Sequence, residues 1–201
     1  MKGIMDYVNP FDQWKQESLF DESDPYFFRI EDNVPKSPES ITHCFFTGHR
    51  SLPEEQKAAL LVRMKSTVSY LYAAGVKTFH AGGALGFDMF AAAQIVDLRR
   101  SHPDMRLVLN LPFHNQTDRW NADAKRFYTF FLEQADEVQY AYEGEITDAG
   151  NARKYLLLRD RLMVQAAHYG IAYFSGARGG TSYTMAFAEK NGCELYNLYE
   201  A

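Results

Sequence analysis

From position 41 onward the chain alternates between two hydrophobic patterns. Short apolar runs of strand length are bounded by Gly, Pro or Asn, and longer stretches place apolar residues three or four positions apart. The first run, Ile41 to Phe46, reads as a strand. A helix is expected from Glu54 to Ala74, with Leu60, Leu61, Met64, Val68, Leu71 and Tyr72 at helical spacing and Gly75 stopping it. "VKTFHAGG", "MRLVLNLPF", "EVQYAYE", "GIAYFSG" and "CELYNLY" read as further strands. "LGFDMFAAAQIVDLRR", "QTDRWNADAKRFYTFFLEQA", "AGNARKYLLLRDRLMVQAAHY" and "TSYTMAFAEKNG" read as the helices between them.

Strict strand–helix alternation predicts an α/β fold, because parallel neighbours need helical crossovers. The expected architecture is a Rossmann-like open, largely parallel sheet flanked by helices on both faces, spanning residues 41–201. Residues 1–40 have no sustained period and are interrupted by Pro10, Pro25, Pro35 and Pro38. They nevertheless carry Tyr7, Phe11, Trp14, Phe20, Tyr26, Phe27 and Phe28, more rings than a solvated tail holds. They read as an acidic, aromatic arm that docks on the main domain or on a partner protein.

Open parallel sheets bind ligands outside the carboxyl ends of their strands. Polar and glycine-rich residues gather at those ends here. The first strand exits through Thr47, Gly48, His49 and Arg50, the second through Gly82, Gly83, Gly86 and Asp88. The third exits through Pro112, followed by Gln116 and Trp120, and the fifth through Gly176, Gly179, Gly180, Thr181 and Thr184. Two of these turns open directly into helices, whose first N–H groups favour an anion. The spacing is neither GxxxxGK[ST] nor GxGxxG, so the sequence lacks the usual signature of an NTPase or a dinucleotide-dependent dehydrogenase.

Charge and composition narrow the field. A formal net charge of −5 offers no broad basic footprint, so nucleic acid is not the expected partner. Cys44 and Cys193 have no CxxC spacing, and His43, His80, His102, His114 and His168 have no metal-ligand spacing, so no metal is expected. No apolar run approaches the ~20 residues of a membrane span, and no basic-then-apolar leader is present; the expectation is a cytoplasmic protein, with homo-oligomerisation left open.

Five blocks, "FTGHR" (46–50), "GGALGFD" (82–88), "LPFHNQTDRW" (111–120), "RDRLMV" (159–164) and "GGTSYT" (179–184), stand in an order and spacing that resemble the YpsA-like proteins of the SLOG superfamily. That superfamily also includes the DNA-processing protein DprA and the "lonely guy" phosphoribohydrolases. The resemblance covers residues 42–199 and implies a Rossmann-like domain that binds a nucleotide or an ADP-ribose-like derivative. It departs in two places. The phosphoribohydrolase glutamate falls on Thr184, so the general acid/base partner is missing, and no enzyme activity of that type is expected. YpsA-like sequences often carry Asn after the arginine that matches Arg159, where this chain has Asp160.

Individual residues admit two readings. Arg50 stands at a helix start, where its charge opposes the dipole, so a phosphate contact is favoured. His49 fits a polar turn as well as a ligand contact. Asp88 is stabilised at a helix start on dipole grounds and could equally bind ribose hydroxyls. Trp120 is a core anchor or a wall for a base, with the wall favoured. Arg159 and Arg161 lie two apart on a helix, so only Arg159 is expected to reach the site. The function expected is binding or sensing of a nucleotide-derived ligand. Cleavage of an N-glycosidic or phosphate bond, with Asp88 as acid, and DprA-like nucleic-acid binding are the alternatives.

Overall fold

The structure is a computed structural model and describes residues 36–200. The expectation for the aromatic arm falls on residues 1–40, of which residues 1–35 lie outside the described residues. After a short 3-10 helix at Pro38–Thr42, six strands alternate with five helices. They are β1 His43–Gly48, α1 Glu54–Ala73, β2 Thr78–Ala81, α2 Phe87–Leu98, β3 Arg106–Leu111, α3 Ala122–Gln134, β4 Glu137–Tyr140, α4 Ala149–Ala166, β5 Tyr169–Tyr173, α5 Gly180–Lys190 and β6 Glu194–Asn197. The sheet order is β4-β3-β2-β1-β5-β6, and every pairing is parallel. The Rossmann-like α/β expectation holds.

Alternate residues of β1 face opposite layers. Cys44 and Phe46 join a core with Leu60, Met64, Val68 and Leu71 of α1, Ile95 of α2 and Phe131 of α3. Phe45 faces Met163 and Val164 of α4 and Phe187 of α5. The four α1 residues are fully buried and recur at helical spacing, each contributing about 1.5–3 kcal/mol by leaving water. Gly75 closes α1 with a φ of +104°, a left-handed conformation that side chains resist.

Some boundaries differ from the sequence expectation. Ile41 and Thr42 lie in the 3-10 helix, whose start is fixed by the Ser37 hydroxyl accepting from Glu39 N at 3.1 Å. Strand β1 instead runs on through Thr47 and Gly48, which pair with Ala172 and Tyr173. Helix α3 starts at Ala122, because the Asn121 side chain accepts from Ala124 N at 2.8 Å and caps it there. Gln116 and Trp120 therefore sit in turns, not on a helix. Strand β3 is not wholly apolar: Asn110 belongs to a polar row across four strands, buried at His80 and Asn110 and open at its Gln139 end. His43 Nδ1 lies 2.8 Å from His80 Nε2, His80 Nδ1 lies 2.9 Å from Asn110 Oδ1, and Asn110 donates to Gln139 at 2.8 Å. Burial lowers the His80 pKa to about 4, so the ring is neutral and the row is held by tautomer choice rather than charge.

Candidate functional site

Strand β1 lies between β2 and β5, and the chain leaves these neighbours in opposite directions: through β2 to β3 and β4 on one side, through β5 to β6 on the other. This is a topological switch point, where a crevice opens beyond the strand ends. A cavity of about 560 Å³ occupies it, within the usual range for small-molecule sites. One lip is Thr47 and Gly48 at the end of β1 with His49 and Arg50 just beyond it; the other is Ala177, Arg178, Gly179, Gly180 and Thr181 entering α5. Asp88 of α2, Gln116 and Trp120 after β3, and Arg159 and Asp160 of α4 complete the wall.

The two lips are tied together. His49 N donates to Tyr173 O at 3.1 Å, and His49 Nε2 accepts from Ser175 N at 2.8 Å. Burial lowers the His49 pKa, which keeps the ring neutral and Nε2 available as an acceptor. His49 is thus a clamp as well as a wall residue. The "FTGHR" turn also rests on the start of α2: Phe87 N donates to His49 O at 3.1 Å, and a Cβ on Gly86 would collide with the Arg50 backbone. The glycine of "GGALGFD" at this position is required by that close approach, aided by its φ of +92°.

Deeper in the crevice, Arg159 lies between two carboxylates. Its Nη1 is 3.7 Å from Asp88 Oδ2, and its Nε is 2.8 Å from Asp160 Oδ1. The second pair is ionic by distance but misses the angle of a hydrogen bond, leaving Nε without a hydrogen-bond partner. Nη1 also donates to the Gly82 carbonyl. A Cβ on Gly82 would occupy the guanidinium's place, so Gly82 serves the site from behind. Burial pushes the Asp88 carboxyl up to about 6, against the pull of Arg159 and of the Ala84 and Gly82 backbone N–H groups. Burial also raises Asp160, against Arg159 and the Thr184 hydroxyl. Two carboxylates against one guanidinium make a cluster ready to take up a proton near neutrality.

Trp120 is 7% exposed, packs edge-on to Tyr128 in the core, and lines the cavity. Gln116 lines it too, and its buried Nε2 has no hydrogen-bond partner. Buried donors are normally satisfied, so Gln116 Nε2 stands out as an unmet donor on the cavity wall.

Not every expected residue reaches the cavity. Gly82, Gly83, Gly86, Pro112, Gly176 and Thr184 are absent from its wall. Gly83 packs towards Leu111, and the Pro112 carbonyl accepts from Tyr142 N. Gly176 turns the chain with a φ of +88°. Thr184 is 1% exposed, and its hydroxyl donates to Gly180 O at 2.9 Å. The Ser182 hydroxyl donates to Gly179 O at 2.7 Å and accepts from Gly179 N. Arg161 turns away, as expected, and stacks on Phe187. The sequence reading missed Arg178, Leu156 and Met163, which all line the cavity. Leu156, Arg159, Asp160 and Met163 follow the i, i+3, i+4, i+7 rule of a single helix face, so the α4 wall was detectable from spacing alone.

An all-parallel Rossmann-like sheet with a glycine-framed, arginine-rimmed crevice at its switch point defines the class of this protein. Residues 44–197 match the YspA SLOG family (YpsA), and the chain belongs to that family. It is 29% identical over 130 residues to the SPbeta prophage-derived protein YoqJ of Bacillus subtilis, covering 60% of this chain and 75% of that one. A UPF0398 protein of Bacillus cereus is 26% identical over 132 residues, covering 62% and 67%. Among solved structures, DNA processing protein A of Helicobacter pylori, described for its single-stranded DNA binding mode, aligns with TM-score 0.53 at 15% identity, over 80% of this chain and 67% of that one. DprA of Streptococcus pneumoniae aligns with TM-score 0.57 at 12% identity, over 88% of this chain. The chain spans 60% of the Streptococcus protein's length. These two likenesses speak to the fold. Among the described residues no helix is long and apolar enough to cross a membrane.

Proposed function

We propose that the crevice binds a nucleotide-derived ligand of the ADP-ribose class and that the protein senses or carries it. The observation that carries this reading is the meeting of Arg50 and the Gly179–Thr181 helix start on one cavity. Phosphates fit between Arg50, Arg178 and the first turn of α5, where free N–H groups and the dipole favour an anion. The Asp88 and Asp160 carboxylates suit ribose hydroxyls, and Trp120 offers a face to a base. Titration calorimetry with ADP-ribose, AMP, adenosine and ribose 5-phosphate tests it. Micromolar binding that requires phosphate supports the reading, and no binding to any of the four overturns it.

One observation favours a second reading. A carboxyl held near 6 beside a ligand cavity suits general acid catalysis, so Asp88 could serve cleavage of an N-glycosidic or phosphate bond in the same ligand. Nucleic-acid binding draws support from the DprA likeness and from the arginine rim. The net charge of −5 opposes it.

A further inference from the structure

The negative charge of this chain is concentrated in one segment. Residues 1–35 hold eight Asp and Glu against three Lys and Arg. That excess of five equals the formal net charge of the whole chain, −5, so the remainder is balanced. Within the segment, Asp21, Glu22 and Asp24 run directly into Tyr26, Phe27 and Phe28. Carboxylates followed by flat rings reproduce, in peptide form, the chemistry of a phosphate joined to an aromatic base.

The crevice offers the complementary order. Arg50 and Arg178 stand at its lips, and Phe113 and Trp120 form part of its inner wall. We propose that the stretch from Asp21 to Phe28 docks in the crevice of its own chain, carboxylates on the arginine lips and rings against the apolar wall, as an internal competitor of anionic ligands.

The tether is long enough to reach the α4 wall of the crevice. The described chain starts at Lys36, whose ammonium donates to Ala167 O at 2.6 Å and to Cys193 Sγ at 2.7 Å. Ala167 is the C-cap of α4, and Arg159 lies eight residues back along that helix, about 12 Å at 1.5 Å per residue. Phe28 stands eight residues before Lys36, a reach of roughly 26–29 Å when extended. A short tether also sets an effective concentration in the millimolar range, which favours the chain's own segment over a second copy.

The proposal depends on the crevice's cationic lips and apolar wall, not on which ligand it holds, and its test uses no nucleotide. The full chain is treated with phenylglyoxal, which modifies accessible arginines, and each site is quantified by mass spectrometry. In the Asp21→Asn/Glu22→Gln/Asp24→Asn variant, modification of Arg50 and Arg178 should rise several-fold. Arg100 and Arg126, with side chains 85% and 81% exposed, serve as unchanged references. A Tyr26→Ser/Phe27→Ser/Phe28→Ser variant, read the same way, should also unmask both arginines. Equal labelling of wild type and both variants overturns the proposal. Protection that rises with protein concentration also overturns it, because the occupant is then a second copy.

Discussion

Arg159 and Asp88 reach each other from different layers, one on α4 and one on α2, and meet 3.7 Å apart with both side chains at least nine-tenths buried. Removing one partner of such a pair leaves the other charge uncompensated and costs about 3–5 kcal/mol. Arg159→Met strands two carboxylates at once, Asp88 and Asp160. Urea denaturation should therefore show a loss of that size at pH 7.5. The loss should shrink at pH 5, where the stranded carboxyls take up protons. A loss independent of pH would mean that Arg159 acts through packing alone.

Two buried groups of opposite sign shape the acid response. His80 falls from 6.5 to about 4 on folding, so its contribution is complete above pH 6.5 and is lost as pH falls from there towards 4. Asp88 rises from 3.8 to about 6, so it burdens the fold above pH 6 and the burden lifts as pH falls from 6 towards 3.8. The two trends oppose each other across the same window. Asp88→Asn removes the compensating one. Its stability relative to wild type should worsen by up to about 3 kcal/mol between pH 7 and pH 4. Denaturant midpoints measured across that range check this, and parallel curves would refute it.

The glycines separate binding from folding. A Cβ on Gly180 meets nothing within 4 Å, so Gly180→Val should hold its melting temperature close to wild type while its side chain enters the cavity and weakens ADP-ribose binding at least tenfold. Gly83 has a φ of +64°, and a Cβ there would lie 2.5 Å from Leu111 Cδ2. Gly83→Val should therefore lose roughly 1–3 kcal/mol of stability through backbone strain. Calorimetric melting and binding titrations on both variants provide the comparison.

The legible parts of this fold are those set by local rules. Alternation of apolar runs with helical spacing led to a parallel sheet, and polar residues at strand ends led to its carboxyl edge; the switch point on that edge depends on strand order, which spacing does not carry. Strand β1 and helix α3 shifted because a serine and an asparagine capped neighbouring segments, and a cap acts over three residues where periodicity averages over many. The site was legible where its residues follow a strand, as at Thr47–Arg50. It was obscured where a residue serves from behind. Gly82 looks like a ligand-cradling glycine but makes room for Arg159, a contact spanning 77 positions in the chain. Sequence spacing carries no trace of such a contact.

Arg50 distinguishes a phosphate site from a nucleoside site. It lines the cavity at the β1 lip. A charge-assisted hydrogen bond contributes about 1.5–3 kcal/mol. Arg50→Ala should therefore weaken AMP or ADP-ribose by about that amount and leave adenosine binding unchanged. Calorimetry with the three ligands reads the difference directly. Equal losses for adenosine and AMP would place the phosphate elsewhere.

The final expectation concerns chemistry. Base release from nucleoside monophosphates by the phosphoribohydrolase route needs a carboxylate near the scissile bond, to support positive charge developing on the ribose. The matching position is Thr184, whose hydroxyl is turned into the helix towards Gly180 O and lies outside the cavity wall. A hydroxyl carries no charge near neutrality and cannot take that role. Asp88 does face the cavity, but from the α2 side and already engaged with Arg159 and the Gly82–Ala84 backbone. We therefore expect no base release from AMP, GMP, CMP or UMP at rates near ~1 per second, the low end of ordinary enzymes. Chromatography of overnight reactions checks it. Turnover that disappears in Asp88→Asn would promote Asp88 to catalytic acid and convert the binding reading into an enzymatic one. Such turnover should also fade above pH 6, where Asp88 gives up its proton, and that profile would separate it from a contaminating hydrolase.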